Sequence, residues 1–130
     1  MEECIFCNIV NGKIPAFKVY EDDTFLAFMD IFPRVMGHTL VIPKKHHRWT
    51  YDVPEFGAYW EVVKKVSMAV KDAVNADYIS YVTVGEAVPH AHVHILPQEE
   101  GKIDGIRFTE VKSLTQDQIQ SIAEKAAFLV

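Results

Sequence analysis

All six histidines of this 130-residue chain fall in two short segments. His38, His46 and His47 flank the apolar run LVIP, and His90, His92 and His94 alternate with apolar residues in PHAHVHILP. In extended backbone successive side chains point to opposite faces. The last three imidazoles therefore share one face while Ala91, Val93 and Ile95 take the other, toward a core. A single histidine is usually structural, and that reading suits His47. Three at period two are different, because each buried imidazole left without a partner costs about 1–3 kcal/mol. Two kinds of chemistry would justify such a row: metal ligation by neutral imidazole, or nucleophilic and acid–base catalysis near neutral pH.

A second cluster is Cys4-x-x-Cys7. Alone, such a pair fits half a zinc site, a redox couple or two small buried residues. Redox chemistry would place it at a helix start in a thioredoxin-like βαβ unit, and no such pattern follows. Two cysteines are no disulfide framework, and MEECIFCNIV lacks the basic region and long apolar run of a secretory signal. A reducing, cytoplasmic setting is expected, with the cysteines as thiols or metal ligands.

The elements that position these groups are readable from periodicity. Gly12 and Pro15 mark an early turn. VYEDDTFLAFMD reads as two strands joined by the acidic turn Glu21-Asp22-Asp23, and residues 39–42 as a short β-branched strand between Gly37 and Pro43. Residues 54–74 form the clearest helix: Phe56, Tyr59, Trp60, Val63, Val66, Val70 and Val74 recur at helical spacing. Asp52 and Glu55 suggest a capping box there, with Pro54 in the first turn. YISYVTV and VPHAHVHILP read as neighbouring antiparallel strands joined by a tight loop at residues 85–87. Thr115 and Gln118 form a second capping box ahead of Ile119, Ile122, Ala123 and Ala126, a C-terminal amphipathic helix. The expectation is a single α+β domain over residues 1–130, a mostly antiparallel sheet of about five strands with helices segregated on it.

Composition narrows the partners. With 49% hydrophobic and 24% charged residues, the chain is neither disordered nor collagen-like, and no apolar run approaches a membrane span. A net charge of −5 argues against a protein that lives on nucleic-acid backbone, though it leaves room for a small anionic ligand at a local positive site.

The pattern His90-x-His92-x-His94 with apolar residues between resembles the histidine triad (HIT) family. Three further segments resemble it in order: CIFCNIVNGKIPA, FLAFMDIFPRVMGHTLVIPKKH, and HILPQ closing the triad. The likeness covers residues 4–98, and the tail helix suits the family's bacterial and archaeal members. It implies a HIT-like fold and a homodimer that binds purine nucleotides and cleaves at the α-phosphate. By motif position His92 would be the nucleophile, forming a covalent nucleotidyl-imidazole that water resolves. His94 would contact the phosphate or help protonate the leaving group, and His38 would pack behind the nucleophile. Asp30 would accept ribose hydroxyls, and Ile31 and Phe6 would hold the base. Phe6 and Ile31 serve equally well as core, whereas Asp30 is otherwise a turn carboxylate.

Some family members and the related galactose-1-phosphate uridylyltransferases close a zinc site with CxxC and two histidines. Those positions are here Cys4, Cys7, His46 and His90, a Cys2His2 set suited to structural Zn²⁺. His47 would serve as well as His46, since adjacent histidines cannot be told apart by spacing. The departure lies upstream of the triad. VTVGEAVPH is several residues shorter than the family's loop and lacks its asparagine, and Glu86 sits near the position of a polar phosphate contact, where a carboxylate repels unless turned away.

The resemblance thus points to P–N cleavage of a purine nucleoside phosphoramidate, such as an adenylated amine. Its alternatives are hydrolysis of a dinucleoside polyphosphate, a non-catalytic zinc-stabilised nucleotide-binding or interaction module, and three triad histidines ligating a catalytic metal.

Overall fold

The computed structural model describes residues 4–102 and 111–130. Its central strands are buried at almost every position because both faces of the sheet are covered. β1 (Lys18–Glu21) and β2 (Phe25–Met29) form a hairpin whose turn is built by Asp22, with Oδ1 accepting from the Thr24 and Phe25 amides at 2.8 and 2.7 Å. β3 (Thr39–Pro43) pairs with β2 over its whole length. With β4 (Tyr78–Val82) and β5 (Val93–Gln98) the sheet has the order β1-β2-β3-β5-β4, antiparallel throughout.

The alternation of side chains assigns the two faces. Phe25, Ala27, Met29, Val41, Val93 and Ile95 pack under α2 (Phe56–Ala73) and α3 (Gln116–Leu129). Leu26, Phe28, Leu40 and Ile42 pack on the opposite face with Phe6 and Ile9 of α1 (Ile5–Val10). Tyr59 of α2 locks the first face: its ring stacks on Phe25 at 5.2 Å, and its hydroxyl donates to the Val41 carbonyl at 2.8 Å. His94 pairs across with Leu40 and Val82, so it stands on the second face, the one α1 covers. No described helix is long and apolar enough to cross a membrane.

The last two strands are antiparallel neighbours as expected, but the tight loop expected between them is corrected. β4 ends at Val82 and β5 begins only at Val93, so His90 and His92 lie before the strand and a ten-residue segment, 83–92, replaces the tight loop. The reason is where the local polar groups are spent. Pro89 has no amide proton, the Ala91 amide donates to the His47 carbonyl at 2.7 Å, and the His92 carbonyl accepts from Thr83 Oγ1 at 2.7 Å. Ala91, Val93 and Ile95 nevertheless enter the core as the alternation predicts.

The capping expectation divides. Thr115 and Gln118 form the reciprocal box at 3.1 and 2.8 Å. Asp52 does not cap the long helix with Glu55; it accepts from the Trp49 amide at 3.2 Å and closes a separate 3₁₀ turn, Thr50–Asp52. α1 is an element the periodicity left out. At six residues it is too short for a helical repeat to show, and its cap is a thiol: Cys4 Sγ accepts from the Cys7 amide at 3.4 Å.

Candidate active site

Cys4 caps α1 and Cys7 lies one turn into it, and the segment before β5 brings His90 beneath them. Cys4 Sγ lies 3.4 Å from His90 Nδ1, Cys7 Sγ 3.5 Å from the same atom and 3.3 Å from His46 Nδ1. All four ligand atoms lie within 4.8 Å of one another. A sulfur and a nitrogen sharing one tetrahedral Zn²⁺ stand about 3.5 Å apart, given bonds of roughly 2.3 and 2.1 Å. The set fits zinc, and it selects His46; His47 instead offers its backbone carbonyl to Ala91.

The tautomers agree. His90 Nε2 donates to the Pro43 carbonyl at 2.8 Å, which leaves the Nδ1 lone pair facing the sulfurs. Burial pushes His90 down to about 4, so it is neutral as a ligand must be. Burial, aided by the neighbouring Cys4 thiol, pushes the Cys7 thiol up to about 11. A bound cation would reverse that preference by taking the place of the proton.

His92 is next along the row and also buried. Its Nδ1 donates to the His90 carbonyl at 2.7 Å, so the lone pair is on Nε2. Burial lowers its basicity, the His90 carbonyl and the Asp30 carboxylate oppose that, and the Arg48 charge adds to it. Phe6 of α1 stands edge-on to His92 and His90, with ring centres 5.2 and 5.8 Å away.

His38 and His94 form a separate pair. The Arg34 amide donates to His38 Nδ1 at 3.1 Å, so His38 carries its proton on Nε2 and donates it to His94 Nδ1 at 2.9 Å. That places the proton of neutral His94 on Nε2. Burial pushes both imidazoles down to about 3. The direct ring partner of His38 is thus His94. The three triad rings do not converge on one metal: His90 belongs to the cysteine cluster and His94 to His38. Asp30 joins His38 and His94 within ligand reach. Yet a 2.9 Å hydrogen bond is shorter than the roughly 3.3 Å between two nitrogens on one zinc. Ligation through His38 Nε2 would also force a proton onto Nδ1, against the Arg34 amide.

Asp30 is largely buried, and burial raises its pKa. Oδ1 accepts from the Phe32 amide at 2.7 Å, while Oδ2 lies 3.6 Å from His38 Nε2 and 3.8 Å from the Arg34 guanidinium. Ile31 is 55% exposed and so is not core, whereas Phe6 is buried.

A recess of about 220 Å³ opens beside His92, lined also by Arg48, Trp49, Tyr51, Thr83 and Gly85. The sequence reading singled out none of these five as site residues. Their one sequence-level sign was the departure of the loop that carries Gly85. Glu86 is exposed and does not line the recess, so the repulsive carboxylate is turned away.

The sequence matches the HIT domain family over residues 11–101. It is 43% identical over 122 residues to an uncharacterised HIT-like protein of Methanocaldococcus jannaschii, across 89% of this chain and 95% of that one. It is 33% identical over 105 residues to an adenylylsulfatase of Arabidopsis thaliana, across 75% of this chain and 53% of that one. The crystal structure of a zinc-bound histidine triad family protein from Mycobacterium smegmatis superposes with a TM-score of 0.79 at 32% identity, over 98% of this chain and 95% of that one.

Proposed function

Because this chain belongs to the HIT domain family, we propose that it is a hydrolase or transferase acting at the α-phosphate of purine nucleotides, with nucleoside phosphoramidates as its leading substrates. The observation that carries this reading is the fixed tautomer of His92: its Nδ1 proton is committed to the His90 carbonyl, leaving Nε2 as a neutral nucleophile. Nε2 attacks the α-phosphorus, and the bond to the leaving nitrogen breaks with its electron pair going to that nitrogen, which takes up a proton. Water then attacks the nucleotidyl-imidazole. The P–N electron pair returns to Nε2, and water releases the proton that balances the first half.

His94, with its proton on Nε2, serves as the donor for charge on the phosphoryl oxygens or the leaving atom. Asp30 takes the ribose hydroxyls, with Phe6 and Ile31 along the base. The adenylylsulfatase among the relatives supports an adenylyl group as the unit transferred. Zn²⁺ on Cys4, Cys7, His46 and His90 is structural in this reading, holding α1 and Phe6 against the active histidine; the zinc-bound relative supports it. The protein works as a homodimer, for which the open edge of β4 and the exposed Met68 of α2 provide surface.

The test is turnover of a fluorogenic adenosine phosphoramidate by the parent and by His92→Ala, with mass spectrometry of the quenched parent. The expected result is loss of at least about 10³-fold in the variant and a nucleotidyl adduct on the peptide carrying His92. Equal rates for the two proteins would end the proposal.

A further inference from the structure

The segment between β4 and β5 poses a chemical problem for any reaction at a phosphate beside His92. Residues 83–89 carry only two polar side chains, those of Thr83 and Glu86. The Thr83 hydroxyl proton is spent on the His92 carbonyl, and Glu86 is exposed outside the recess. A phosphoryl group arriving at His92 finds no side-chain donor to spare on that loop, only backbone amides. It does find one cation: among the residues lining the recess, Arg48 alone carries positive charge.

We infer that Arg48 is the group that holds the α-phosphoryl oxygens beside His92, taking the place of the side-chain donors the short loop lacks. This rests on the function proposed above. Three observations fix the guanidinium in place. Its central carbon lies 3.8 Å over the centre of the Trp49 ring, so one face is stacked. Nη1 donates to the Gly85 carbonyl, which ties the fork to the shortened loop. Trp49 is itself wedged against Gly85, where a β-carbon would come within 3.1 Å of the indole.

Of five N–H donors, one goes to Gly85. Among the described residues no carboxylate lies within ion-pair distance of Arg48. A planar guanidinium with donors to spare, held by stacking before the ligand arrives, suits two phosphoryl oxygens at once. A lysine at this position would carry the charge without the stacked fork.

Isothermal titration of AMP and of adenosine into the zinc-replete parent, Arg48→Met and Arg48→Lys tests the assignment. The parent should prefer AMP over adenosine. Arg48→Met should lose about 10–100-fold in AMP affinity, the scale of a charge-assisted hydrogen bond, with adenosine affinity unchanged. Arg48→Lys should fall between, and added guanidinium should restore part of the AMP preference to Arg48→Met.

An undiminished AMP preference in Arg48→Met overturns the assignment. Equal loss of AMP and adenosine also overturns it, because a residue that only pins the loop would act that way. So does a parent with no preference for AMP. The two proposals fail separately: an Arg48-dependent phosphate preference alongside full turnover by His92→Ala would sink the reaction scheme and leave Arg48 as an anion site.

Discussion

His92 donates its Nδ1 proton to the backbone carbonyl of His90, 2.7 Å away, and the side chain of that same His90 faces both cysteines. One residue thus fixes the proposed nucleophile through its backbone and the proposed metal through its ring. A disturbance of the cysteine cluster is transmitted to His92 over a single peptide unit.

The double variant Cys4→Ser, Cys7→Ser should therefore lose bound zinc as well as stability. We expect elemental analysis to fall from about one zinc per chain to none, since a hydroxyl is a poor replacement for thiolate. The melting temperature should drop by roughly 6–10 °C, the shift that ~2 kcal/mol produces in a domain of this size. Parent protein already free of zinc after purification without chelators would refute the metal assignment.

Acid should destabilise the fold through His38 and His94. Burial holds both folded-state values down to about 3, while an unfolded histidine titrates near 6.5. Between these limits the unfolded chain binds protons that the native chain refuses, so stability falls as pH falls below about 6.5 and is fully present above it. The slope approaches about 1.4 kcal/mol per pH unit for each histidine. Urea midpoints of the cysteine-free variant, which has no metal to release, should decline from pH 7 to pH 5. A flat profile over that window would show that the pair titrates normally.

Gly37 and Gly12 make a matched comparison. Both have left-handed backbone, at φ +88° and +78°. A β-carbon on Gly37 would come within 3.1–3.2 Å of Pro97, Val74 and Val70, whereas one on Gly12 meets nothing within 4 Å. Gly12→Ala should cost only the backbone strain, about 1 kcal/mol, and Gly37→Ala about 2–3 kcal/mol, because the sheet and α2 must also part. Similar thermal shifts for the two variants would mean that the crowding at Gly37 relaxes freely.

How legible this arrangement is from sequence depends on the range of the interactions. β2 and β3 announce themselves because every residue is buried, and the Thr115 box because its partners lie three residues apart. The cysteine and histidine set is legible through its spacing and family likeness, though only the fold separates His46 from His47. The partnership of His38 with His94 spans 56 positions, and nothing near either residue encodes it. Arg48 and Trp49 carry no periodic signal; their role exists only where the Gly85 carbonyl meets them, 37 positions along the chain. α1 escapes because one and a half turns cannot display a repeat, and because a cysteine stands where a serine or aspartate cap would be recognised.

The attachment of Cys4 to His90 joins positions 86 apart. Closing so long a loop carries an entropic penalty that nothing local offsets. The surface that receives α1 exists only where β3 and β5 pair beneath it. The contact of Cys4 with His90 therefore depends on long-range strand pairing, and so do the nucleophile's surroundings.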